Sequence, residues 1–364
     1  MFVAPLGFLW MFTSLMQAGL PTKLPAALVD EDNTHVTRQL TRILGTMEQT
    51  RFVLQTNSFT EARQAMQRGE IYAIFHIPKG TTEKALTQRQ PTVEFYTNDT
   101  YYIAASLLMK DMRKMSEMAG LAITRATMRA KGFTDKQIMG TIQPIVVEAH
   151  PLGNPHLNYS VVLSNLIVPG LLMLVIMLTT CYALGNEWKR GSQKRLFYDI
   201  AGEHTEYIIL GKLLPQTVVY VTIFWVIDLV FYSYLQFPCH CGVTHMMMWG
   251  VLTVIASQGF GLLMFEAFPG QMRMAMSGCS LLGVMQFSLA GFSFPVSAMD
   301  PTFQWLSNIF PLHHYFLIYV NQALNGYPIH YAWTSVAALV AIAILPALFM
   351  YRLTDAFINK DYQA

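Results

Sequence analysis

Charge is what this sequence has least of. Only 13% of its 364 residues are Asp, Glu, Lys or Arg, against about a quarter in an ordinary soluble domain. With 53% hydrophobic residues and a mean hydropathy of +0.34, a wholly soluble globule is excluded. Disorder is excluded too, because it needs low hydrophobicity and high net charge. The formal net charge of +2 leaves no basic excess, and so no nucleic-acid partner is expected. Four cysteines are too few to scaffold a chain of this length with disulfides. A Gly-x4-Gly-Lys-Ser/Thr stretch is also missing, since Gly211-Lys212 has no glycine-rich loop before it to cradle phosphates. The composition is that of an integral membrane protein.

The charges that are present are unevenly placed. Residues 21–160 hold sixteen of the 24 Lys and Arg and thirteen of the 22 acids, an ordinary density for a soluble domain. The rest of the chain holds only seventeen charges. A bilayer core takes about 20 apolar residues to cross, and six runs approach that length: Met1–Leu20, Val161–Leu184, Leu213–Leu235, Met246–Phe265, Met274–Phe294 and Tyr331–Met350. The first lacks the basic n-region and small-residue cleavage site of a signal peptide, so it reads as a span. Pro169 and Pro346 are tolerable, because helix packing re-satisfies the freed carbonyls.

Loop charge sets the orientation. After residue 160 the basic residues are Lys189, Arg190, Lys194, Arg195, Lys212, Arg273, Arg352 and Lys360. With six spans, all eight fall in loops 185–212 and 266–273 and the C-terminal tail, while loops 236–245 and 295–330 have none. The positive-inside rule puts that side, and both termini, in the cytoplasm. The expected fold is therefore an α-helical polytopic membrane protein of six transmembrane helices. Helix 1 lies in 1–20 and helices 2–6 in 161–364, and an extracytoplasmic α/β domain occupies 21–160.

Within that domain, Leu24–Val29, Arg51–Gln55, Ile71–Ile77, Thr92–Tyr96 and Ile142–Val147 read as strands. Asn33 is placed to cap a helix bearing Val36, Leu40, Ile43 and Leu44 on one face, and Ser58–Gln67 reads as a second helix. A longer helix spans about Ile103–Lys131. Its stripe of Leu108, Met112, Met115, Ala119, Ala122 and Ala126 is a packing seam, not a site. No metal-ligand spacing and no nucleophile–base arrangement appears here, as expected of a contact or gating module.

Three features elsewhere carry chemistry. Asp228 is the one acid inside an expected span, where it costs about 2.5–3.5 kcal/mol at a helix centre. It lines a translocation path, pairs across a dimer, or is hydrated near the outer interface. Cys239-His240-Cys241, with His245 nearby, has the residue types of a metal site. Two cysteines one residue apart in so short a loop do not complete a tetrahedron, and no metal is expected. His313 and His314 read as interfacial, beside an aromatic belt of Trp305, Tyr315 and Tyr319.

Three local patterns, in order along this layout, carry a family resemblance. Val29-Asp30-Glu31-Asp32-Asn33 follows the first span; Glu187, Gly191-Ser192, Leu196 and Gly211-Lys212 punctuate the inward loop. Gly291 through Phe294-Pro295, Met299, Pro301 and Phe310-Pro311-Leu312 form the outer segment after span five. The chain resembles, over most of its length, the permease subunits of ABC transporters of the type-2 exporter class. It is most similar to the branch found beside membrane-fusion adaptor proteins in bacterial drug and lipophile efflux. It departs from that pattern in two ways: Met1 already lies within the first span, where the family has an amphipathic elbow helix, and Ile200–His204 replaces the family's usual proline region.

The resemblance implies a multi-pass permease of the bacterial cell inner membrane that exports a drug, lipid or similar amphiphile. It implies no cofactor on this chain, ATP and Mg belonging to a separate cytoplasmic ABC ATPase subunit. A second permease copy (identical or a close paralogue), a periplasmic membrane-fusion adaptor and an outer-membrane tunnel are the other implied partners. Loop 185–212 is the expected ATPase contact, with Glu187, Gly191 and Ser192 as hinge and Gly202, Glu203, His204, Thr205 and Glu206 on a coupling helix over Gly202–Ile209. Phe294, Pro295, Met299, Pro301 and Pro311 fall in an outer re-entrant segment. Two other classes fit less of the chain. A receptor working through residues 21–160 has no use for an ATPase-binding loop, and a secondary transporter should show internal repeats and more intramembrane charge.

Overall fold

The computed structural model describes residues 2–16, 19–87, 92–130, 132–134, 153–154 and 158–360. The chain divides into two compact units, Leu20–Ala149 and the flanking Met1–Gly19 with His150–Ala364. The N-terminal helix of the flanking unit is α1 (Val3–Leu15).

The inserted unit is built on a four-stranded sheet of order β2-β1-β3-β4, with β1 at Leu24–Asp30, β2 at Thr50–Thr56, β3 at Ala73–Ile77 and β4 at Glu94–Thr97. The first three strands are parallel and β4 is antiparallel to β3. Parallel strands need covered faces, so β1 and β3 read as nearly continuous apolar runs. Ala27, Val29 and Ile74 pack beneath α3 (Phe59–Gln67) against Ala62 and Ala65. Ala26, Leu28, Phe75 and Ile77 pack on the other face, against Leu44 of α2 (His35–Leu44) and Leu108, Met112 and Met115 of α5 (Tyr102–Ala130). Those three residues make the expected seam; its continuation at Ala119, Ala122 and Ala126 lies outside the described side chains, and Ile142–Val147 outside the described residues. Asp111 fixes α5 to the head of β2, accepting from Gln49 N at 3.2 Å and Thr50 Oγ1 at 2.9 Å.

One cap differs from expectation. Asn33 sits in the left-handed region at φ 46, and Thr34 caps α2 by accepting from Thr37 N at 3.3 Å. The Asp30 carboxylate takes the Asn33 amide and so turns Asn33 away from the cap position. Asp32 reaches across the unit to α4 (Thr81–Leu86), accepting from Gly80 N at 2.9 Å and Thr82 N at 2.8 Å. The Thr82 hydroxyl and amide hold its carboxyl below the usual carboxylate range. A depressed folded-state pKa stabilises above the unfolded value of about 3.9, and that contribution disappears as pH falls through the folded value. Amide exchange at Gly80 and Thr82 should accordingly speed up, relative to other amides, as acid protonates Asp32. Asp32→Asn should show no such pH-linked step, and an identical pH profile in both proteins would refute the link.

The flanking unit is helical. Its helices continue as α6 (Tyr159–Arg190), α7 (Thr205–Asp228, running on as π-helix to Tyr234), α8 (Val243–Ala267) and α9 (Met272–Leu289). Then come two short helices, α10 (Pro301–Ser307) and α11 (Pro311–Ile318), followed by α12 (Trp333–Ile344) and α13 (Pro346–Asn359). Among the described residues, four stretches are long and apolar enough to cross a membrane: Tyr159–Arg190, Thr205–Tyr234, Val243–Ala267 and Ile329–Asn359. This is a multi-pass membrane protein. Of the other two expected spans, α1 is too short, and α9, at 18 residues, is not apolar enough, carrying Arg273 and Gln286. The 13 residues of α1 rise about 20 Å against a core of about 30 Å. Helix α9 stops at Leu289, because the chain turns at Gly291 with φ 91.

Two small residues seat α8 at the centre of the unit. A Cβ on Gly261 would lie 2.9 Å from Met177 O of α6, and one on Gly259 would lie 2.7 Å from Ile342 O of α12. Close backbone approach of this kind is how helices pack where lipid competes for apolar surface. Pro215 interrupts α7 beside a polar clasp, in which Thr217 Oγ1 donates to Gln258 Oε1 at 2.7 Å and Gln258 Nε2 donates to Leu213 O at 3.3 Å.

Candidate functional site

The inward loop begins where α6 ends. Gly191 adopts φ 67, which favours glycine, and terminates the helix with the Ser192 amide donating to Glu187 O at 3.0 Å. Glu187 then ties the loop at both ends. One carboxylate oxygen accepts from the Ser192 hydroxyl, and the other pairs with Lys212 Nζ at 2.6 Å. Lys212 also donates to Ala183 O at 3.1 Å. Both charged side chains are mostly shielded, at 17% and 22% exposure, so the pair is stronger than an ordinary surface bridge.

Between these ties the chain makes a helical turn at Gln193–Arg195 and a π-helical turn at Leu196–Ile200. Phe197 is buried and stacks on Phe357 of α13 at 5.8 Å and 10°, and Trp188 lies 4.5 Å from the same ring. Thr205 Oγ1 meets Thr354 Oγ1 at 2.7 Å. The loop is thereby a rigid projection mounted on an aromatic base. Its outer surface is exposed: Tyr198, Asp199, Ile200, Gly202, Glu203, His204, Glu206 and Tyr207. Ile200 is 70% exposed and Tyr207 61%. His204 Nδ1 lies 3.2 Å from Glu206 Oε1.

The helix boundary differs from the expected Gly202–Ile209. Gly202 and Glu203 form a turn at φ 58 and φ 67, and Thr205 is the first residue of α7. Two consecutive left-handed residues are incompatible with helix, so the helical pieces of the loop lie on either side of the turn.

Asp228 is fully buried, on the face of α7 that carries Tyr220, Phe224, Phe231 and Tyr232. The opposite face, with Trp225, Val226 and Leu229, is exposed. Asp228 thus points into its own chain, neither hydrated at the interface nor free on the surface. Neither of its oxygens has a hydrogen-bond partner.

In the outer segment, Phe294 is 52% exposed and Pro295 opens a 3₁₀ turn at Val296–Ala298. Met299 is extended, and Asp300 caps α10 by accepting from Thr302 N at 2.9 Å, with Pro301 in the first helical turn. Pro311 starts α11, which is buried in the unit. His313 and His314 are therefore core residues and not interfacial. Each ring donates to a backbone carbonyl, Nδ1 of His313 to Ala290 O at 3.0 Å and Nε2 of His314 to Asn308 O at 2.8 Å. Tyr315 and Tyr319 are buried as well, so the exposed belt consists of Trp305, Tyr327, Tyr331 and Trp333. The two histidine rings are admitted because carbonyls freed at the ends of α9 and α10 await donors.

Two features escaped the sequence reading. Glu266, placed in a loop, lies in the last turn of α8, 1% exposed and without a hydrogen-bond partner, close enough to feel the charge of Arg352. The four cysteines fall into two pairs, Cys181 with Cys279 at 3.4 Å between α6 and α9, and Cys239 with Cys241 at 3.9 Å. An acid just past an apolar run was the available signal for the first; nothing in the sequence paired Cys181 with Cys279.

The family model described as ABC-2 family transporter protein matches residues 1–352. No curated protein matches the chain. The match takes in the inward loop, the buried Asp228 and the outer segment together. The chain belongs to the ABC-2 transporter family, as a membrane-embedded permease component that pairs with an ABC ATPase subunit.

Proposed function

We propose that this permease is the export channel of an ATP-driven pump that moves an amphiphilic or hydrophobic substrate, such as a drug or lipid, out of the cytoplasm or inner leaflet. It works as a dimer of identical or closely paralogous permeases on two ATPase subunits, in the bacterial inner membrane. Both termini and loop 185–212 face the cytoplasm, and residues 21–160 lie outside, where they meet a membrane-fusion adaptor leading to an outer-membrane tunnel. ATP and Mg bind to the ATPase; this chain contributes the path. Asp228 lines that path, and the segment 295–330 closes its outer end.

The observation that carries this reading is the exposed tip on a rigid mount. Glu187, Gly191 and Ser192 set the angle at which the loop leaves α6. Thr205 anchors the turn to α13, while Gly202, Glu203, His204 and Glu206 present a polar edge flanked by the exposed Ile200 and Tyr207. Exposed apolar residues ringed by polar ones mark a protein contact, and a projection fixed to α6, α7 and α13 at once transmits a push to all three. Co-purification with the ATPase tests it. Gly202→Pro removes the φ of 58 that the turn requires, and Glu206→Arg reverses the charge at the edge. Either should abolish recovery of the ATPase while the permease remains in the membrane at its normal level. Full recovery with both would favour a receptor working through residues 21–160.

A further inference from the structure

The surroundings of Asp228 select a kind of substrate, an inference that rests on the reading of this chain as a transport path. Both Asp228 oxygens and the Tyr315 hydroxyl are buried without hydrogen-bond partners. Asp228 lies within electrostatic reach of Tyr315, Tyr232, Cys239 and Cys241. The other polar groups here are already committed. Tyr232 Oη donates to Asn165 Oδ1 at 3.0 Å, while Asn165 Nδ2 and Tyr319 Oη both donate to Val161 O at 2.8 Å. Among the described residues no Lys or Arg pairs with the carboxylate. The basic residues of this unit sit at the other end of the helices, around Lys212 and the loop that joins α6 to α7, and the outer loops 236–245 and 295–330 contain none.

What surrounds Asp228 is aromatic. Phe224 and Phe231 lie one turn before and after it, both fully buried, and the Phe224 ring is 5.6 Å from that of Tyr315. A carboxyl that gives up its proton when a cation arrives then only accepts hydrogen bonds, and ring faces attract positive charge. The pair of features favours one ligand class over its rivals. A small hard cation takes about six oxygen ligands, and only three oxygens here are unpartnered. It would also surrender its hydration on entering, a cost that grows with charge density. A cation whose charge is spread beneath apolar groups surrenders little.

We propose that Asp228 is the charge-recognition point of the substrate path and that it takes a lipophilic organic cation, an ammonium or phosphonium bearing apolar groups. Phe224 and Tyr315 supply ring faces to it. The site is closed in this structure, so the ligand enters when α7 and α11 separate.

The test is equilibrium dialysis of the full-length permease in nanodiscs of zwitterionic lipid, corrected for empty discs. The probes are tetraphenylphosphonium and the neutral triphenylphosphine oxide. The permease should prefer the cation by at least about ten-fold, or about 1.4 kcal/mol. Asp228→Asn should abolish that preference and leave the neutral probe unaffected, whereas Asp228→Glu should retain most of it. Phe224→Leu should weaken the cation about three-fold, as expected for one ring face. Equal binding of the two probes by the wild type would overturn the proposal, and that arm does not depend on any variant folding. So would equal loss of both probes in Asp228→Asn, or a preference that survives it. Displacement of the phosphonium by NaCl, but not by N-methylglucamine chloride, would reassign the site to an inorganic ion. The assay contains no ATPase, so its failure is separable from a failure of co-purification.

Discussion

Gly261→Val should lower the melting midpoint of the purified permease by roughly 1–4 °C, the shift that an overpacking cost of about 1–3 kcal/mol gives in a chain of this length. The reason is the position of the neighbouring backbone. The first added carbon would stand 2.9 Å from Met177 O and 3.0 Å from Met177 Cα, and helix backbone cannot rotate aside as a side chain can. Helix α8 would have to move off α6, and its other side is already held at Gly259 by Ile342 O and Ala343 Cα of α12. Gly278→Ala is the matched control. Its added carbon meets nothing nearer than Met264 Sδ at 3.9 Å, and alanine favours helix over glycine by about 1 kcal/mol. That variant should melt at or above the wild-type temperature. Equal midpoints for Gly261→Val and Gly278→Ala would show that α8 is not seated by close backbone contact.

The second large effect is expected at Glu187. Glu187→Ala leaves the mostly shielded Lys212 ammonium with only Ala183 O, and the Ser192 hydroxyl with only the long 3.4 Å bond to the backbone carbonyl of residue 187. Losing hydrogen bonds to charged groups at a half-buried position costs about 1–3 kcal/mol. The aromatic stack of Phe197 on Phe357 keeps the loop on its base, so the fold should survive. What is lost is the tie between the end of α6 and the start of α7. ATP-driven uptake of an amphiphilic dye into inverted vesicles should fall by at least about ten-fold, as a loss of about 1.4 kcal/mol implies, with ATPase still bound. Lys212→Met should fall by a similar factor, because it breaks the same tie from the other side. Undiminished uptake in both would remove the coupling role from this pair.

These expectations differ in how far the sequence could have supplied them. The sheet was legible, since the apolar runs at Leu24–Val29 and Ile71–Ile77 and the caps around Ser58 are local signals. The resulting strands and α3 lie within one or two residues of the reading. So was the helix break between α6 and α7, because its glycine, its basic residues and its charged edge are adjacent in the chain. The pairing of Glu187 with Lys212 was not legible. It joins residues 25 apart, and only the antiparallel return of α7 beside α6 brings them together. The reading of His313, His314, Tyr315 and Tyr319 as a membrane-interface belt failed for a related reason. Histidine and tyrosine suit either an interface or a core that offers them carbonyls, and composition does not separate the two.

By itself the sequence determined that this is a membrane protein whose charge is concentrated in residues 21–160. Hydropathy and charge are sums over segments and do not depend on how the segments meet. Only the tertiary structure decided which way each helix faces. Helices such as α7 and α8 are apolar on every side, so their periodicity carries no direction. The burial of Asp228 away from solvent, with neither oxygen hydrogen-bonded among the described residues, followed from the packing of α6, α7 and α11 around it, and from nothing local to residue 228.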